Sequence, residues 1–287
     1  MSRFPRVAID PNLAKPDCDA AVRKLTAWLR RRHRKVFLPV EVRPLPAGAE
    51  AVDRNSLARV SDLVISLGGD GSLLSTARRV YPRKVPILGV NFGGLGFLTD
   101  LSVDQMFDGL ERVLSGKYHS EMRIMLKASI LNDSGRIRAR QHAMNDIAIH
   151  EVGHRILTLL PELDSSKMGQ VKADGLIVAT PTGSTAYSLS AGGPVVAPTL
   201  RALIATPICP HILSLRPIVF PSDQTLTVRF LPTAGAQIQM VADGQEDIAL
   251  RPGESVRIGQ ASGTVQFLLT QDETFYDVLR TKLKWGG

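Results

Sequence analysis

Leu63-Val64-Ile65-Ser66-Leu67-Gly68-Gly69-Asp70-Gly71-Ser72 is an apolar, β-branched run that ends abruptly in glycines, and Leu73, Ala77 and Val80 then recur at helical spacing. The stretch predicts a strand, a glycine turn and a helix. Glycines let a bulky anion approach the main chain, and the N–H groups that open the following helix carry partial positive charge, so the turn suits phosphate. A carboxylate there would repel phosphate unless it acts on something beside it. Asp70 is therefore the residue to explain.

Working outward, Arg6-Val7-Ala8-Ile9 predicts a first strand, and Ala21, Val22, Leu25, Trp28 and Leu29 share one face of a helix. That helix ends in the basic run Arg30 to Lys35, which fits either a polyphosphate site or, the favoured reading, cations at a helix C-terminus on a solvated face. Val36 to Val40 is a second strand, and a polar, Pro-containing stretch leads to the strand before Asp70. Ile87 to Asn91 is another strand, entering Phe92-Gly93-Gly94-Leu95-Gly96-Phe97. Ser102 and Gln105 have the spacing of a capping box, opening a helix through Phe107, Leu110 and Leu114 to Gly116. Strands alternating with helices predict a parallel sheet covered on both faces, giving an α/β domain over residues 1–118.

Beyond it the rhythm changes. Ile124-Leu126, Ile147-Ile149, Leu226-Val228-Phe230, Ile238-Met240 and Val256-Ile258 alternate with polar residues, and Asn132 to Gly135, Asp243-Gly244 and Pro252-Gly253 are turn signals between them. A mostly antiparallel β domain is predicted over residues 119–262. Phe275, Tyr276, Val278, Leu279 and Leu283 give residues 263–287 a helical apolar face, expected to pack back on the first domain. One segment, Ala173 to Pro194, interrupts the β pattern with an apolar strand, a turn of small hydroxyl residues and one or two helical turns. Its density of Ser and Thr fits either a polar ligand lying across it or a capped turn.

The totals limit the function. The 287 residues suffice for two domains, and Cys18 and Cys209 are too few for a disulfide framework or a zinc site. No apolar run reaches membrane-spanning length and the N-terminus lacks a signal-peptide pattern, so a cytoplasmic protein without membrane contact is expected. The net charge of +8 suits anionic partners, but the aromatic residues do not interleave with basic ones, so no nucleic-acid partner is expected. Several nucleotide signatures are absent: no Gly-x-x-x-x-Gly-Lys-Ser/Thr, no His-Arg-Asp loop, and Leu74 where a dinucleotide fingerprint needs its third glycine. A phosphate turn with a central carboxylate remains. It matches phosphoryl transfer to an alcohol, with Asp70 accepting the hydroxyl proton as the P–O bond forms; as an Asx-type turn former Asp70 would have no such role.

Gly68 to Ser72, Asn91 to Leu98, Asn145-Asp146, Ala173 to Pro194, Thr206 to His211 and Arg216-Pro217 stand in the order and spacing of NAD kinases, and the resemblance spans residues 60–260. The glycine turn alone is shared with other kinases; the segment Thr180 to Gly193 is the specific part. The resemblance implies phosphorylation of the 2′-hydroxyl on the adenosine ribose of NAD, giving NADP, with ATP or another phosphoryl donor. It implies a Rossmann-like N-terminal α/β domain, a C-terminal β-sandwich domain and a homodimer or homotetramer. It makes Asp70 the catalytic base, places Gly68, Gly69 and Gly71 at phosphates and Phe97 against adenine. Asn145 and Asp146 would read the adenosine half, Thr185, Ala186, Tyr187, Ser188, Leu189 and Ser190 would line the pocket, Asp174 would meet the nicotinamide end, Lys172 would be a further cofactor-binding residue, and Gln245 lies peripherally. Magnesium, or another divalent cation, would arrive with the donor's phosphates, with no protein residue assigned as metal ligand. Two departures stand out: Asp146 replaces the family's commoner Glu, one methylene shorter, and Lys172 stands where many bacterial members have Arg.

Overall fold

Contacts divide the chain into two units, Met1–Arg123 with Thr264–Gly287, and Ile124–Gly263. The computed structural model describes residues 3–93, 96–153, 155–212, 214–231, 235–271 and 273–284; Gly94 and Leu95 of the glycine-rich loop and His154 lie outside these.

The first unit runs β1 (Arg6–Pro11), α1 (Cys18–Arg31), β2 (Lys35–Pro39), β3 (Ala49–Val52), α2 (Leu57–Val60), β4 (Leu63–Gly68), α3 (Asp70–Val80), β5 (Ile87–Asn91), β6 (Leu101–Ser102) and α4 (Met106–Ser115). All pairings are parallel, in the order β6-β5-β4-β1-β2-β3. Leaving β1, the chain goes to one side for β2 and to the other for β4, so the carboxyl ends of β1 and β4 form a topological switch point, where such sheets bind ligands. Val7, Ile9, Leu63, Ile65, Leu67, Leu88 and Val90 are fully buried against Leu25 and Leu29 of α1 and Leu110 of α4. Each such side chain contributes about 1.5–3 kcal/mol of apolar burial.

Three local details differ from expectation. The Pro-containing stretch between the second and third predicted strands contains β3 and α2, whose brevity hid their periodicity. Ser102 and Gln105 do exchange capping-box bonds, Gln105 N–H to Ser102 Oγ at 3.3 Å and Ser102 N–H to Gln105 Oε1 at 3.3 Å, but the regular helix begins only at Met106. In the basic run, Arg32 stacks 3.7 Å from the Trp28 ring and pairs with Glu111 at 2.8 Å, while Lys35 pairs with Glu50 at 2.9 Å.

The boundaries of the second unit fall inside β7 (His119–Leu131) and β19 (Ser255–Leu269). Between them come β8 (Ile137–Ala143), β9 (Asp146–Glu151), β10 (Leu157–Leu163), β11 (Ser166–Lys167), β12 (Val171–Ala173), β13 (Gly175–Ala179), α5 (Tyr187–Ser190), β14 (Ala202–Ile208), β15 (Ile218–Pro221), β16 (Leu226–Phe230), β17 (Ile238–Ala242) and β18 (Glu246–Leu250). One antiparallel sheet has the order β15-β14-β13-β9-β17-β18. The facing strands β10, β16 and β19 are also antiparallel. Ile147, Ile149, Leu176, Val178 and Met240 of the first layer share one core with Leu157, Leu159, Val228, Phe230, Val256 and Ile258 of the second, which makes the unit a β-sandwich. An α/β domain and an all-β sandwich are thus the observed fold, as the sequence implied.

In the last segment, α6 (Phe275–Leu283) is opened by a capping box between Thr274 and Asp277 and buries Leu279.

Candidate active site

In the α/β unit, β4 ends at Gly68 and Asp70 is the first residue of α3, whose N-terminus no side chain caps. The glycine turn admits the helix start closely: a Cβ on Gly68 would run into Ser72, whose Oγ accepts from Asn12 Nδ2 at 3.0 Å. The Asp70 carboxylate is turned toward the loop after β5. Its Oδ2 accepts from Phe97 N–H at 2.7 Å, and its Oδ1 accepts from Leu98 N–H at 3.3 Å, Thr99 N–H at 3.2 Å and Thr99 Oγ1 at 3.3 Å. Asn91 Nδ2 donates in turn to Thr99 Oγ1 at 3.2 Å. A carboxylate has about four acceptor directions; among the described residues Oδ1 takes three donors and Oδ2 one.

Behind this turn lies a buried ion cluster. Asp10 of β1 accepts from Arg79 at 2.7 Å, Thr76 Oγ1 at 2.7 Å and Arg54 at 3.1 Å, and Thr76 also reaches Ser66 at 3.0 Å. These bonds tie α3 to β1 and β4. Arg79 is held by Asp10 and by Ser75, so its side chain serves the seating of α3.

In the β-sandwich, strand register assembles a second group. Ala179 of β13 lies opposite Asp146 of β9, and Ala242 of β17 opposite Ile147, so the residues after β13 and after β17 both arrive at the start of β9. Thr180 Oγ1 donates to the Met144 carbonyl at 2.6 Å, and its N–H to the Asn145 carbonyl at 2.8 Å. Asp243, in a tight Asp-Gly turn with φ of 51° and 63°, accepts from the N–H groups of Asn145 at 2.7 Å, Met144 at 3.0 Å and Asp146 at 3.3 Å. Asn145, Asp146, Ala186, Tyr187, His150 and Asp243 surround a 250 Å³ cavity. Asn145 Oδ1 is buried without a hydrogen-bond partner among the described residues. Burial, and then the nearby Asp243 charge, push the Asp146 carboxyl up to about 7, against a hydrogen bond from the Tyr187 backbone. Burial, with the charges of Cys209, Asp146 and Asp174, raises the Tyr187 hydroxyl.

Of the residues selected from sequence, the structure groups Asn145, Asp146, Ala186 and Tyr187 at the cavity and Gly68, Gly69, Asp70, Gly71 and Phe97 at the turn. Ser188 is buried, its hydroxyl 2.8 Å from Thr206 Oγ1, and Thr185 and Leu189 are half-buried. Lys172, Asp174, Ser190 and Gln245 are exposed and do not line that cavity. Sequence reasoning passed over Thr99, Thr180 and Asp243. Asp243-Gly244 was legible as a turn, but nothing local tells that its carboxylate reaches a backbone segment some hundred residues earlier. Among the described residues no helix is long and apolar enough to cross a membrane, and no group of three or more His, Cys, Asp or Glu is placed to hold a metal ion.

Comparison with known proteins places these two groups in a family context. Residues 45–118 match the family model described as the ATP-NAD kinase N-terminal domain, and residues 144–270 match the ATP-NAD kinase C-terminal domain. An NAD kinase of Geotalea daltonii is 39% identical over 282 residues, covering 98% of this chain and 99% of its own. One from Magnetococcus marinus is 39% identical over 286 residues, covering 98% and 93%. Among solved structures, a yeast NADH kinase complexed with NADH superposes with a TM-score of 0.88 at 24% identity, covering 98% of this chain and 88% of that one. An Archaeoglobus fulgidus NAD kinase in complex with ATP gives 0.76 at 26% identity, covering 98% and 100%.

Proposed function

Because this chain belongs to the NAD kinase family, we propose that Asp70 accepts the proton of the 2′-hydroxyl on the adenosine ribose of NAD as that oxygen attacks the donor's terminal phosphorus. The chain is an NAD kinase, and its product is NADP. In this step the ribose oxygen gains the phosphoryl group, ADP leaves when ATP is the donor, and the proton ends on a carboxylate oxygen. The observation that carries the role is the Asp70 carboxylate at the glycine-rich start of α3, held there by the N–H groups of residues 97–99. An aspartate titrates ordinarily near 4, far too acidic to ionise an alcohol beforehand, so proton transfer accompanies P–O bond formation. The N–H groups of residues 97–99 hold the carboxylate in one orientation throughout.

The β-sandwich supplies dinucleotide recognition in this reading. Asn145 Oδ1, buried and lacking a donor, suits a purine amino group, and Asp146 suits ribose hydroxyls. Tyr187 contributes an aromatic face, Asp174 the nicotinamide end, and Lys172 a further cofactor contact. Magnesium enters as part of the nucleotide substrate, bound to its phosphates. A cytoplasmic homodimer or homotetramer completes the proposal, on the strength of the family resemblance.

The test is direct. The purified chain with MgATP and NAD forms NADP, read by an NADP-specific dehydrogenase, and Asp70→Asn lowers kcat by about 10²- to 10⁴-fold while NAD still binds. An Asp70→Asn enzyme that keeps half its turnover refutes the assignment of the base.

A further inference from the structure

Asp243 belongs to the turn between β17 and β18, yet its carboxylate is spent on a different segment. Both oxygens accept from Met144 N–H, at 3.0 and 3.1 Å, and Oδ1 also takes Asn145 N–H at 2.7 Å and Asp146 N–H at 3.3 Å. The carbonyls of the same three residues are equally committed: Met144 to Thr180 Oγ1, Asn145 to Thr180 N–H, and Asp146 to Asp243 N–H at 2.9 Å. Every backbone polar group of the segment is thereby fixed from two sides. Only the side chains of Asn145 and Asp146 are left to meet a ligand at the 250 Å³ cavity, and Asp243 lines that cavity too.

From this geometry we infer that Asp243 is a positioning residue for the dinucleotide, acting through the N–H groups of residues 144–146 to aim Asn145 and Asp146 into the cavity. The inference rests on the reading that this pair meets the adenosine half of NAD. Asp243 makes no contact with the reacting atoms. Its effect falls on binding and leaves the phosphoryl-transfer step alone.

A second consequence separates positioning from plain structural support. Asp243 faces Asp146 as a like charge, together with His150 of β9 and Tyr187 of α5 around the cavity, and Cys209 and Asp174 beside Tyr187. Removing the Asp243 charge lets Asp146 ionise more readily, so the pH at which NAD affinity changes moves downward.

Asp243→Asn is the variant of choice, since Asn also tolerates the positive φ of this turn. KM for NAD rises roughly tenfold, the loss expected when a charge-assisted hydrogen-bond set is weakened, while kcat stays within about twofold. The inflection of KM against pH shifts to lower pH. Asp243→Glu, which keeps the charge but moves it by one methylene, raises KM and leaves the inflection where it was. Asn145→Ala is measured alongside. If Asn145→Ala leaves KM for NAD unchanged, the adenosine reading of the pair falls. If Asn145→Ala raises KM but Asp243→Asn keeps the parent KM and inflection, positioning by Asp243 is wrong. A joint collapse of kcat and KM with the inflection unmoved also overturns it, since that marks structural support alone.

Discussion

A methyl group built on Gly96 would occupy the space of the Asp70 carboxylate. The glycine is needed here for room: the loop must pass close enough for Phe97 N–H to reach Asp70 at 2.7 Å. Gly96→Ala pushes loop and carboxylate apart and loosens all the donors from residues 97–99. The expected result is a kcat lower by about 10- to 100-fold, part of what a correctly placed base contributes. Steady-state NADP formation reads it, and parental turnover in the alanine variant would mean that the close approach has no catalytic weight.

Gly183 plays the corresponding part in the β-sandwich, where an added Cβ would strike the Asn145 carbonyl. Gly183→Ala shifts Asn145 while leaving the Asp70 turn untouched. KM for NAD should rise by about tenfold or more with kcat little changed, the pattern of lost binding shared by ground and transition states.

Asp10 is 2% exposed and pairs with both Arg54, at 3.1 Å, and Arg79, at 2.7 Å. Asp10→Ala leaves Arg54 with Glu41 at 3.8 Å and Arg79 with Ser75 at 2.6 Å, a loss of about 1–3 kcal/mol for these partly exposed guanidinium groups. A urea titration should show the lowered midpoint. Because the cluster seats α3, activity should fall even at temperatures where the variant is folded.

Asp146 yields a stability prediction with a definite sign. Its folded-state carboxyl is raised to about 7, above the ordinary value near 4, by burial first and Asp243 second. The folded protein therefore binds the proton more tightly than the unfolded chain, so this contribution is fully present below about pH 4 and is lost as pH climbs through 7. Asp146→Asn removes the penalty. Its Tm, without ligand, should exceed the parent's at pH 8, and the gap should close toward pH 4.

How much of this was legible in the sequence depends on how local the signal is. Leu63 to Ser72 announced strand, turn and helix because apolar β-branched residues, glycines and a 3.6-residue period follow within eighteen positions. The segment from Gly175 to Ser190 was likewise readable as strand followed by short helical turns. β3 escaped because its four residues, just after Pro46, are all at least partly exposed and show no alternation of burial. The ties that matter most at the site were beyond any local reading. Asp243 joins residues 144–146 only because β17 and β9 pair in one register, and Asp70 meets residues 97–99 only because β4 and β5 lie side by side. Sequence distance conceals such partners, and sheet register creates them.

Asn145 Oδ1, buried without a hydrogen-bond partner among the described residues, gives the cavity a basis for selectivity beyond shape. On the proposed reading, the 6-amino group of adenine gives this acceptor a donor, whereas the 6-oxo group of hypoxanthine presents an acceptor at the same position. Sites that bury an unmatched polar atom reject the mismatched analogue by far more than shape alone would. On the proposed reading that Asn145 faces the base, a deaminated dinucleotide is expected to have a lower kcat/KM than NAD, which a steady-state comparison of the two substrates checks.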